Sequence, residues 1–263
     1  MPIFTFDNLK LLFIHIPKTG GTSVEESVSG YCKTSLLLHR VPDFLKNSPQ
    51  HLTASNLKEI GFGPSLFDYS FAIVRNPYRR IESEYFYHLL LSEVQIRNTT
   101  KNIENCEINL SEIEKKIESE ESPGKLHHVR EKDAVLLKKK KYEVQLLDLK
   151  NDFSSLRDGE KSFSSWVMSN LSQYKADRYL RDNHFVPQVD FLDESIKEVF
   201  RFEDGVDKVI HRVSEVVKVN LPISHKLKTD KFPVLWSTEA LALVREAYAE
   251  DFKKLGYDKN ETP

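Results

Sequence analysis

The sharpest hydrophobic pattern in the chain is an uninterrupted apolar run, Leu11, Leu12, Phe13 and Ile14, which gives way to the polar, glycine-containing segment HIPKTGGTS and then to Val24 and Val28 at helical spacing. A run with no polar face is expected of a strand in a parallel sheet covered on both sides. Gly20 and Gly21 allow a tight turn and a close backbone approach to a ligand, and Thr22 or Ser23 is placed to cap the helix. The pattern predicts strand, loop and helix between residues 11 and 28. Residues 71 to 91, FAIVRNPYRRIESEYFYHLLL, repeat the theme. Phe71 to Val74 read as a buried strand, Asn76 as an N-cap, Pro77 as the first helical residue, and Tyr85, Phe86 and Leu89 as the helix's apolar face.

Elsewhere the pattern is weaker. SLLLH at 35 to 39 predicts a short strand, and HLTASNLKEIGF from His51 a loop and a short helix. From residue 92 to about 160 mixed charge dominates, apolar residues recur singly at helical intervals, and Ser122, Pro123 and Gly124 break the pattern. This stretch predicts a helical insertion with some mobile loop, for which a hairpin is one arrangement. Beyond it SFSSWVMSNL predicts a helix, EVFRFED a strand and GVDKVIHRVSEVVKV a helix. TEALALVREAYAEDFKKLGYD predicts one long helix ending near Gly256. Alternating strands and helices specify an α/β fold with a central, mainly parallel sheet. No repeat or low-complexity linker divides the chain, so residues 1 to 263 read as one domain carrying the insertion.

Composition narrows the partners. A chain of 263 residues, 40% apolar, can bury a substantial core. Its net charge of −2 gives no general basis for nucleic-acid binding. Lys138 to Lys141 form a basic run that either attracts an acidic acceptor or lies on a solvated helix face. Cys32 and Cys106 make neither a disulfide framework nor a metal-ligand cluster, which favours a reducing compartment. No signal peptide or membrane-spanning run is visible, and the expected location is the cytoplasm.

The chemistry concentrates at the two strand-to-helix junctions. Free amides at a helix start favour an anion, and Lys18 adds a mobile positive charge beside them. Lys18 precedes both glycines, whereas the Walker A pattern places its lysine after the second, so an ordinary ATP or GTP loop is disfavoured. A glycine-rich connection with one exposed lysine is the bland alternative. Arg75 stands at the C-terminal edge of its strand, where ligands bind in open α/β sheets, and its guanidinium can grip a phosphate through two parallel hydrogen bonds. Ser83, two turns into the helix, offers a hydroxyl to the same group. The alternative for Arg75 is a capped carbonyl or a surface carboxylate partner.

HIPKTGGTS resembles the 5′-phosphosulfate-binding loop of sulfotransferases that use 3′-phosphoadenosine 5′-phosphosulfate (PAPS), in particular the carbohydrate branch that includes the 2-O-sulfotransferases. FAIVRNPYRRIESEYFYHLLL resembles their 3′-phosphate-binding strand and helix, and RFED, a basic loop and YAEDFKKLGYD are similar to their C-terminal part. The resemblance implies a P-loop-like three-layer fold and transfer of a sulfuryl group from PAPS to an acceptor hydroxyl or amine, releasing 3′-phosphoadenosine 5′-phosphate (PAP), with no metal required. It assigns Lys18, Thr19, Gly20, Gly21, Thr22 and Ser23 to the donor's 5′ side, with Lys18 also catalytic, and Arg75 and Ser83 to the 3′-phosphate. QHLTA lies where the 2-O branch carries a catalytic histidine, which makes His51 the candidate base, with an exposed capping histidine as the alternative. His15, beside the loop, and His184, in HFVPQ, are its rivals. His225, Lys226, Lys228 and Lys231 form a basic loop that in relatives helps enclose the nucleotide. A carbohydrate or glycoconjugate is the implied acceptor, with a small metabolite or lipid-linked molecule as the nearest rival. A nucleotide kinase and a noncatalytic nucleotide-binding protein are the alternatives of other classes. Animal Golgi relatives carry a membrane anchor and stem that this sequence does not show.

Overall fold

The computed structural model describes residues 1–36, 46–119, 124–157, 162–224 and 231–261. In chain order the elements are β1 (Ile3–Phe6), β2 (Leu9–Ile14), α1 (Gly21–Ser29), β3 (Lys33–Ser35), α2 (Ala54–Glu59), β4 (Tyr69–Val74), α3 (Pro77–Ser119), α4 (Gly124–Arg157), α5 (Ser162–Ala176), α6 (Leu180–Asn183), α7 (Gln188–Phe191), β5 (Glu198–Arg201), α8 (Val206–Val217), α9 (Thr238–Ala247) and α10 (Ala249–Leu255). They fall into two compact units, one made of Met1–Tyr85 with Ser164–Pro263, the other of Phe86–Phe163.

The first unit holds a sheet of order β3-β1-β2-β4-β5. β2 pairs with β4 and β4 with β5 in parallel, and β1 alone runs the other way, antiparallel to both neighbours. The pleat sends alternate side chains to opposite faces. Leu11, Phe13, Phe71 and Ile73 meet Val24 and Val28 of α1 and Val209, Ile210 and Val213 of α8 on one face. Leu12, Ile14, Ala72 and Val74 meet Leu52, Leu57 of α2, Val186 and Phe191 of α7 on the other. Both faces are thus covered, which is why Leu11 to Ile14 of β2 and Phe71 to Val74 of β4 lack a polar position.

Several expectations need correction. β2 starts at Leu9 and is preceded by β1, whose IFTF alternation was too short to register. The strand expected within SLLLH lies earlier, at Lys33–Ser35, and residues 37–39 fall outside the described residues. EVFRFED leaves the strand at Arg201 and turns through a 3-10 helix, Phe202–Asp204. The C-terminal helix is two helices that meet at Tyr248 (φ −116°, ψ 27°). Burial explains the break, because the Tyr248 hydroxyl reaches inward to donate to the Phe185 carbonyl at 3.0 Å. Gly256 is the left-handed C-cap (φ 68°).

The second unit is a helical hairpin occupying the charged region. The less exposed positions repeat with three- and four-residue spacing: Ile96, Thr99, Ile103, Cys106, Leu110 and Ile113 on α3, and Val135, Tyr142, Leu146, Leu149 and Phe153 on α4. Lys139 to Glu107 at 2.8 Å and Lys132 to Glu114 at 2.7 Å set the antiparallel register. Lys139 of the basic run is therefore engaged inside the hairpin. Ser122 and Pro123 of the expected break lie outside the described residues. Among the described residues no helix is long and apolar enough to cross a membrane.

Candidate active site

Past the end of β2 the chain turns through Lys18 (φ 68°) and Gly20 (φ 92°) into α1. The expected Thr22 or Ser23 cap is not formed. Gly20 is the N-cap, and the Ser23 amide donates to its carbonyl at 3.1 Å. The glycines are required by contacts within the chain: a Cβ on Gly20 would sit 2.9 Å from the Phe202 ring, and one on Gly21 would collide with the His15 imidazole. Thr19 is buried, with its hydroxyl donating to the Ile16 carbonyl at 2.9 Å, while Thr22 is half-buried. Burial pulls the Lys18 ammonium down to about 8, Glu84 opposes this, and Arg75 and Lys231 add to it.

Arg75 leaves the C-terminal end of β4 on the same edge. Its backbone N–H donates to Gln188 Oε1 and its carbonyl accepts from Gln188 Nε2, both at 2.8 Å, so that one amide side chain continues the pairing of β4. Gln188 is fixed in turn by Asp251, which accepts from its backbone N–H at 2.9 Å. The guanidinium lies 4.3 Å from the centre of the Phe202 ring and donates through one terminal nitrogen to the Lys18 carbonyl at 3.1 Å. Arg75 Nε is buried and has no partner among the described residues. Asn76 caps α3 by accepting from the Tyr78 amide at 3.0 Å. Ser83 is half-buried, and no hydrogen bond among the described residues joins it to Arg75. Of the basic loop, Lys231 is described and its ammonium is lowered by burial, then by Arg75. His225, Lys226 and Lys228 fall outside the described residues.

The three rival histidines are neighbours. The His51 ring lies 5.1 Å from His15 and 5.1 Å from His184, edge to face in both cases. Each meets a different carboxylate through Nδ1: His15 with Glu25 at 2.5 Å, His51 with Asp182 at 2.7 Å and His184 with Glu84 at 2.6 Å. A Nδ1–H donated to a carboxylate leaves Nε2 as the ring atom with a lone pair. Burial, reinforced by the two flanking histidines, moves His51 down to about 3 against the pull of Asp182, so its imidazole is neutral near pH 7. Burial would raise Asp182, yet hydrogen bonds from His51 and Ser48 hold it well below the usual carboxylate range.

The carboxylates were not visible in the sequence, and neither was Arg80. Asp182 sits in three consecutive left-handed residues, Arg181 (φ 51°), Asp182 (φ 58°) and Asn183 (φ 67°), a costly run that only surrounding contacts maintain. Ser48 donates to Asp182 through both N–H and hydroxyl, at 2.5 and 2.6 Å, and Asn183 donates to the His51 carbonyl at 2.9 Å. The sequence signal was DN in RDNHF, since Asp and Asn tolerate the left-handed region best. Arg80 is 1% exposed and donates to the carbonyls of Pro17, Val186 and His184 at 3.0, 2.9 and 2.8 Å, tying the loop to the His184 segment. Nothing in its spacing distinguished it from Arg79. A cleft of about 730 Å³ opens beside Asn183 and is lined with polar groups including Lys46, Thr53, Asn56 and Arg178, with Tyr179 at its side. Among the described residues no group of three or more His, Cys, Asp or Glu side chains is arranged to hold a metal ion.

No curated protein and no solved structure matches the chain. The model of the Sulfotransferase family matches residues 1–258. That match spans the loop between β2 and α1, Arg75, the histidine row and the C-terminal helices together, and the chain belongs to the sulfotransferase family.

Proposed function

We propose that this sulfotransferase uses PAPS as donor and sulfates a hydroxyl or amine of a carbohydrate or glycoconjugate, releasing PAP. The observation that carries the donor assignment is the convergence of Lys18, Arg75 and Lys231. Burial lowers all three, Arg75 lowers both lysines further, and one buried guanidinium nitrogen of Arg75 is unpaired among the described residues. Such a group is costly alone and is stabilised by a polyanion. PAPS supplies an activated sulfuryl group and two phosphate-bearing positions. Arg75, with Ser83, holds the 3′-phosphate. Lys18 and the amides from Thr19 to Ser23 hold the 5′ side and stabilise the charge that grows there as the loose, in-line transfer proceeds.

His51 accepts the acceptor's proton at Nε2. Its low basicity is matched by Asp182, whose carboxylate fixes the tautomer and stabilises the imidazolium that forms. The polar cleft beside Asn183, with Tyr179 as an apolar platform, supports a sugar as acceptor. The free thiols of Cys32 and Cys106 support a reducing, cytoplasmic setting.

Calorimetric titration with PAP and with ADP, without magnesium, tests the donor assignment. The wild type should prefer PAP by at least about tenfold, the worth of a charge-assisted contact, and Arg75→Ala should lose the preference. Equal binding of both nucleotides, or no PAP binding by well-folded protein, overturns it. His51→Ala should retain PAP binding and lose most turnover; unchanged turnover removes His51 as the base.

A further inference from the structure

The hairpin carries a second apolar stripe that the fold does not use. On α4, Leu126, Val129, Leu136, Leu137, Val144 and Leu147 are between 39% and 61% exposed. At 100° per residue they share an arc of about 100°, on the side of α4 away from the seam that meets α3. Two charged residues, Asp133 and Lys140, lie along the middle of the stripe, both exposed. Neither is paired among the described residues.

The order of these eight residues is its own mirror image about the midpoint between Leu136 and Leu137. Leu126 mirrors Leu147, Val129 mirrors Val144, and Asp133 mirrors Lys140. A twofold axis through that midpoint would bring an antiparallel second copy of α4 into register with leucine on leucine, valine on valine and aspartate on lysine, the last pair twice. On either side of the midpoint the steps alternate between three and four residues, and Leu126, Asp133, Lys140 and Leu147 recur at seven-residue intervals, the spacing of a coiled-coil seam. The stripe spans about 32 Å of helix.

We propose that this face of α4 is an interface with a second copy of the chain, formed as an antiparallel, twofold pairing of α4 with α4 in the register set by Asp133 and Lys140. An interface of this kind is self-complementary by construction. The charges choose its direction, because a parallel pairing would oppose Asp133 to Asp133 and Lys140 to Lys140. A polar pair within an apolar seam fixes register in the same way in other coiled coils.

Sedimentation equilibrium of the full chain tests this, to about 100 μM so that micromolar dissociation constants are visible. The wild type should sediment with twice the 30.6 kDa mass of the chain. Asp133→Lys and Lys140→Asp should each weaken the dimer at least about tenfold, since each opposes like charges at two places. Mixing the two variants should restore a dimer containing one of each, and the double variant should dimerise by itself. Far-UV circular dichroism establishes that the hairpin remains helical. A wild type that stays monomeric overturns the proposal, and cosedimentation of that monomer with phosphatidylserine vesicles would assign the stripe to a membrane surface. A dimer indifferent to both charge reversals, or one the mixture fails to restore, also overturns it.

Discussion

Lys18 is held where an ammonium is least comfortable: buried, with its titration near 8, and beside Arg75 and Lys231. A bound polyanion would raise that value again, so binding takes up a proton between about pH 8 and the raised pKa. Affinity for PAP should therefore fall as pH rises from 7 to 9, by up to about tenfold per pH unit. The phosphate's second ionisation, near 6, is complete across this window and does not confuse the sign. Calorimetry in two buffers of different ionisation enthalpy reads the proton directly, and Lys18→Met should abolish it; a wild type whose affinity is the same at both pH values would contradict the argument. At this scale the sequence was informative about Lys18, Arg75 and the three histidines, because loop and strand-end positions are local. It was silent on Glu25, Glu84 and Asp182, which reach the histidines across 10, 100 and 131 residues.

Helix α1 shows how much a position within an element matters for one residue type. Gly21 at its start has no room for a Cβ because the His15 ring occupies the place. Gly30 at its end has φ −72° and open space around it. Gly21→Ala should destabilise by about 1–3 kcal/mol through overpacking, whereas Gly30→Ala should be neutral or stabilise by up to about 1 kcal/mol by restricting the unfolded chain. Urea denaturation of the two variants should place their midpoints on opposite sides of, or at, the wild-type value. A Gly21→Ala midpoint at or above the wild-type value would mean that His15 yields. The strand, loop and helix were legible here since their periodicity is strong. The cap was not, because Thr22 and Ser23 have the right chemistry but the left-handed turn at Gly20 makes that glycine the last residue before the helix. Tyr248 follows the same logic: its helical pattern is continuous in sequence, and a buried hydroxyl partner breaks it.

On the scale of the molecule the two units differ in what holds them. Two extended cores cover the faces of the sheet, while the hairpin buries few large side chains, Cys106 and Ile113 among them, and depends on ion pairs such as Lys139 to Glu107. Exposed ion pairs contribute little, so α4 should open locally. Hydrogen exchange of the Asp133→Lys chain, in which the proposed self-pairing is broken, should show α4 amides exchanging well before those of β2 and β4; equal protection would mean that the hairpin unfolds only with the whole. The sequence by itself determined the α/β layering, the two strand-to-helix junctions and the helical character of the charged insertion, because each follows from local periodicity, cap chemistry and charge. Only the tertiary structure decided the histidine row with its three carboxylates, the Arg80 clamp, and the Gln188 and Asp251 support of Arg75. Those pairings join residues distant in the chain, and burial raises the cost of leaving any of them unpaired without writing a spacing into the sequence.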